Sequence, residues 1–109
     1  MKPAVFFEQA ILDLDDAVKF YTDQSGPELA TRYLAALRKA TSLLIANPGL
    51  GTPIKSRKAD LAVRWLPLAS PFQKHLMFYR SGAKASEVIR VLHASRNIAE
   101  ILRETLGYF

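Results

Sequence analysis

The sequence predicts an α+β domain of order β-α-α-β-β-β-α: an N-terminal helical hairpin packed on a small, mainly antiparallel sheet, with a short C-terminal helix. Two observations carry this. The hydrophobic period is 3.6 residues over positions 8–46 and changes to 2 over positions 62–93. Turn-forming clusters, Ser25-Gly26-Pro27 and Asn47-Pro48-Gly49, punctuate the helical half.

Each element follows from local chemistry. Residues 3–7 read as a short strand with Val5 and Phe7 on one face. From Glu8 to Gln24, Ile11, Leu14, Val18 and Tyr21 recur at helical spacing, with Asp13, Asp15, Asp16 and Lys19 off that stripe. Pro27 suits the first turn of a second helix, which runs to about Ala46 and buries Leu29, Tyr33, Leu37, Ala40 and Leu44. A loop over 47–60 carries the basic run Lys55, Arg57 and Lys58. Ala62–Leu68 is the next strand, with Pro67 placing its end or an edge there. Lys74–Arg80 and Ser86–His93 form a hairpin about Ser81–Lys84, and the second of these is rich in β-branched residues. Asn97 with Glu100 makes a capping-box pattern for a last helix ending at Gly107.

The chain has 109 residues and is half hydrophobic, enough for one core and one domain spanning 1–109. It has no cysteine, which excludes disulfides, zinc–thiolate sites and thiol nucleophiles. Met1-Lys2-Pro3 and a four-residue apolar run do not make a signal peptide, and no stretch reaches the length of a membrane span. A soluble, cytoplasmic protein is expected. Positions 1–54 hold five Lys/Arg against six Asp/Glu, and positions 55–109 hold ten against four. A basic half fits an acidic partner, whether nucleic acid or protein, and equally a solvated surface.

Arg90 stands inside an apolar strand, where charge is costly unless paired or exposed on a functional face; it also reads as an arginine with its stem packed and its head in solvent. Arg64, Lys74, Arg80, Arg90 and Arg96 are candidates for a basic face that contacts a target or partner. His93 is an obvious near-neutral acid/base at a strand end; it also reads as a structural residue. Trp65 and Tyr79 read as core aromatics or as stacking platforms. His75 and His93, without a carboxylate pattern, do not suggest a metal site, and no phosphate loop or nucleophile elbow is present. No cofactor is expected.

Four segments in order resemble a known family. They are the acidic helix Ala10–Tyr21, the helix exit Ala40–Gly51, the pair Val63–Leu68 and His75–Arg80, and the strand Val88-Ile-Arg-Val-Leu-His-Ala-Ser-Arg96. The set, covering about Val5 to Arg96, resembles the ParE/RelE superfamily of type II toxins, and the His93-x-x-Arg96 ending resembles its ParE branch. The resemblance implies a plasmid-stabilisation toxin that inhibits DNA gyrase by binding, without catalysis. It implies neutralisation by an antitoxin whose acidic tail adds a strand and seats a helix in a groove. The other branch implies a ribosome-dependent, metal-independent mRNA endoribonuclease. There His93, Arg90, Arg64 and Arg96 would supply acid/base and phosphate-binding groups, and Tyr108 and Phe109 would stand for an aromatic C-terminus. A degenerate, non-toxic binding module is a third reading.

Overall fold

A computed structural model describes residues 2–54 and 62–107. The basic run Lys55, Arg57 and Lys58, and Tyr108 and Phe109, lie outside the described residues. The order is β1 (Ala4–Phe6), α1 (Glu8–Ser25), α2 (Pro27–Ala46), β2 (Thr52–Pro53), β3 (Arg64–Pro67), β4 (His75–Ser81), β5 (Ser86–His93) and α3 (Ile98–Leu106). This is the expected order with one addition: the loop after α2 contributes the two-residue strand β2. The sheet runs β1-β5-β4-β3-β2, with β1 parallel to β5 and the other neighbours antiparallel.

Alternation along the strands gives the sheet two apolar faces. Met77, Tyr79, Val88 and Val91 pack with Tyr33, Leu37, Ala40 and Leu44 under the helical hairpin. Phe78, Ile89, Leu92 and Val63 face the other way and pack with Leu102 of α3. The C-terminal helix therefore docks on its own sheet and makes a third layer. Its N-cap position is Asn97 as expected, but the Asn97 amide donates to Glu100 Oε2 at 2.7 Å instead of capping backbone. Gly107 ends the helix in the left-handed region, where a side chain is strained.

Two inward faces differ from the pattern read in the sequence. Phe7 leaves the strand to cap α1, so Ala4 and Phe6 turn to the core and Val5 stays 46% exposed. On α1, Ala10 is fully buried while Ile11 is half exposed, which rotates the inward stripe toward Asp13 and Ala17. A single residue, Gly26, joins α1 to α2; its φ of 84° is open to glycine, and Pro27 starts α2 at once.

The strand β5 carries a bulge: Phe78 pairs with Arg90 and Tyr79 with Val88, leaving Ile89 extra. Beyond Val88, β1 no longer covers β5. Asp13 takes over that edge. Its Oδ2 accepts the Val91 N–H at 3.0 Å and Arg90 Nε at 2.7 Å, and its Oδ1 accepts Arg90 Nη2 at 2.7 Å. Arg90 Nη1 donates to Thr105 Oγ1 of α3 at 2.9 Å. One ion pair thus ties α1, β5 and α3 together, with side chains only 13% and 10% exposed.

The chain after α2 is held by a second polar anchor. The buried Tyr79 hydroxyl donates to the Pro48 carbonyl at 2.9 Å and accepts from Gly51 N–H at 2.8 Å. A Cβ at Gly51 would stand 2.6 Å from that hydroxyl and 2.8 Å from the Trp65 carbonyl, so glycine is required for close approach.

Two stability outcomes are expected. Asp13→Ala leaves Arg90 buried without its partner and should lower unfolding free energy by about 3 kcal/mol. In urea titrations, adding Arg90→Met should cost much less than it does alone; strict additivity would contradict the coupling. Tyr79→Phe strips the buried Gly51 N–H and the part-buried Pro48 carbonyl of their partner and should cost about 1–3 kcal/mol, read as a lower thermal midpoint. Gly51→Ala should weaken the same loop, and an unchanged midpoint in both variants would refute the anchor.

Candidate functional site

A cleft of about 440 Å³ lies between the C-terminal half of α1 and the ends of β4 and β5. Asp13, Asp16, Phe20 and Tyr21 of α1 form one wall, and His75, Val91, His93 and Arg96 form the other. The period of α1 brings its residues to one flank, since positions 13, 16, 17, 20 and 21 are helical neighbours. His75 and His93 face each other across β4 and β5. Their rings are 5.3 Å apart and nearly perpendicular.

The groups are coupled by hydrogen bonds and ring contacts. Tyr21 Oη lies 2.8 Å from His75 Nε2, fastening α1 to β4. The Ser95 N–H donates to His93 Nδ1 at 3.1 Å, so the neutral ring carries its proton on Nε2. Behind them, Tyr33 and Phe72 meet Tyr21 and His75 at ring distances of 5.2–5.3 Å. Burial lowers the His75 imidazole below its ordinary value, and the neighbouring His93 lowers it further. Burial raises the Tyr21 hydroxyl. Burial raises Tyr33 strongly, with Tyr21 and Asp13 adding to it. The Tyr33 hydroxyl is buried with no hydrogen-bond partner among the described residues.

The structure separates the residues singled out in the sequence. His93 and Arg96 line the cleft. Arg90 is turned to Asp13, whose hydrogen bonds raise its pKa above the ordinary guanidinium value. Arg64 donates through Nη1 to the Gly51 carbonyl at 2.8 Å and the Gly49 carbonyl at 3.3 Å, on β3, with β4 between it and β5. Arg80 pairs with Glu87 at 2.7 Å and lies 5.5 Å above the Phe7 ring. Lys74 is exposed just before β4. Trp65 packs in the second apolar cluster and Tyr79 is fully buried, the core role among the two readings. No group of three or more His, Asp or Glu that could hold a metal occurs among the described residues.

Three residues of the site were not visible as such in the sequence: Asp13, Tyr21 and His75. A signal for Asp13 existed, because an arginine in an apolar strand needs a buried counter-ion. For His75 there was none. Simple hairpin register about Ser81 and Ser86 pairs it with Leu92, and only the bulge at Ile89 brings it to His93.

Comparison with known proteins agrees with this architecture. The family model described as "ParE toxin of type II toxin-antitoxin system, parDE" matches residues 5–98. A solved structure titled "Chromosomal ParDE TA system from P. aeruginosa" superposes with a TM-score of 0.70 at 24% identity, covering 85% of this chain and 96% of that one, a likeness of fold. No curated protein matches. With the family model spanning most of its length and the fold in the expected order, the chain belongs to the ParE toxin family of type II toxin–antitoxin systems.

Proposed function

We propose that this chain is a cytoplasmic toxin that inhibits DNA gyrase by binding, serves plasmid stabilisation, and is neutralised by a cognate antitoxin. The observation that carries the binding mode is where the cations go. A phosphodiester-cleaving site needs cations and an acid/base group converging on one phosphate. Here Arg90 is bound to Asp13 and Arg64 to backbone carbonyls, neither free to join His93 and Arg96. A ribosome-dependent nuclease would have to break a buried ion pair to assemble that set.

The surface supports an antitoxin of the expected kind. Among the described residues the outer side of β1 is unpaired, and it is able to accept a strand. Beside it, Phe6, Ile11, Leu14 and Leu37 line an apolar groove of about 500 Å³ with Arg38 at its rim. An acidic amphipathic helix matches that groove in both shape and charge. Among the described residues, no helix is long and apolar enough to cross a membrane.

Purified chain should block gyrase-dependent supercoiling while leaving translated transcripts intact, and antitoxin should restore supercoiling. Full supercoiling activity at large toxin excess would refute the gyrase target. Codon-specific mRNA cutting that disappears in His93→Gln would establish the nuclease instead.

A further inference from the structure

Tyr21, His75 and His93 sit where α1 meets the ends of β4 and β5. The Tyr21–His75 hydrogen bond is the polar fastening between the last turns of α1 and β4. The other fastening on α1, Asp13 to Arg90, is two helical turns upstream. The two imidazoles are in edge-to-face contact and share one half-dry pocket. We propose that His75, with its ring against His93, is an acid-sensitive latch: its protonation releases the C-terminal turns of α1 from the sheet and opens the cleft.

Charged and aromatic groups from three elements surround the pair. From α1, His75 and His93 face Tyr21, Asp13 and Asp16; from α2, Tyr33; from the segment after β5, Arg96. Lys74 precedes His75 in the chain, and Arg90 on β5 holds Asp13. With Asp13 neutralised by Arg90, the remaining fixed charges at the mouth are Asp16 and Arg96, which oppose each other. A cation on His75 therefore has no dedicated counter-ion. It would stand between the rings of Tyr21 and Tyr33, against the edge of a second imidazole.

Proton bookkeeping shows how the latch would yield. In the neutral tautomer that carries its proton on Nδ1, Tyr21 donates to His75 Nε2. Protonation places a hydrogen on Nε2, which then donates to the tyrosine oxygen, so the bond survives with reversed polarity. What changes is hydration. A half-buried imidazolium gains solvation by moving outward, and α1 is the wall that must give way. The sign follows from the lowered folded-state value of His75. Stability is unaffected well above the ordinary histidine value of about 6.5. It falls as pH drops below that value and continues to fall until the folded-state midpoint is passed. Each pH unit between the two midpoints weakens the latched state about tenfold.

The test is an NMR titration of the two imidazoles in the full chain, with amide exchange of Phe20–Ser25 followed from about pH 7.5 to 5.5. His75 should titrate below an unfolded-chain histidine, and its midpoint should rise in His93→Gln. Exchange at the end of α1, corrected for its intrinsic pH dependence, should increase on acidification in the native chain. It should stay flat in His75→Phe, which keeps the ring and removes the charge. A His75 midpoint at or above the unfolded value, or unmoved by His93→Gln, would overturn the latch. So would exchange that is flat in the native chain or rises equally in His75→Phe. Should His75→Phe fail to fold, the native titration and His93→Gln still decide.

Discussion

The ion pair between Asp13 and Arg90 is the constraint on which the arrangement of this molecule depends. Burying two charges is expensive, and Coulomb attraction repays the cost only when geometry and further hydrogen bonds are favourable. Both conditions hold here. The contact is bidentate, the carboxylate also takes the Val91 N–H, and the guanidinium also reaches Thr105. Thr105 in turn donates to the Ile101 carbonyl, so the hydroxyl is satisfied as both donor and acceptor. An apolar pair of the same volume could fill the space, but it would leave the Val91 N–H and the edge of β5 uncovered.

The pair also explains why a nine-residue helix stays on the sheet. Isolated helices of that length are marginal in water. α3 gains its stability from one apolar stripe, Ile98, Ile101, Leu102 and Leu106, laid on the second face of the sheet. Arg90 adds a polar tie at its C-terminal turn and links that layer to α1 on the opposite side. A change at Asp13 is therefore felt in three layers, though the residue touches only one strand directly.

Periodicity made the helical hairpin, the β4–β5 hairpin and the closing helix legible, because those elements each bury one continuous stripe. It misplaced side chains wherever a polar contact overrode the stripe. Asp13 reads as off the buried stripe because aspartate seldom turns inward, and it does so here to meet Arg90 and the Val91 N–H. Val5 and Phe7 were assigned to one face because nothing local marks Phe7 as the cap of α1. The two-residue β2 depends on Tyr79 and Arg64 holding residues 48–51, contacts made across long sequence separations. Of the candidate site, His93 and Arg96 were found by motif, while His75 needed a bulge that no residue type announces.

The cleft and the apolar groove have no lining residue in common, yet α1 is a wall of both: Ile11 and Leu14 on one flank, Asp13, Asp16 and Tyr21 on the other. A helix holding two recesses cannot shift toward one without altering the other, since its packed core is not continuously deformable. Its position is set by two polar contacts with the sheet, one ionic at Asp13 and one neutral at Tyr21. α1 is the element the two recesses share, and a change in its position would be felt in both.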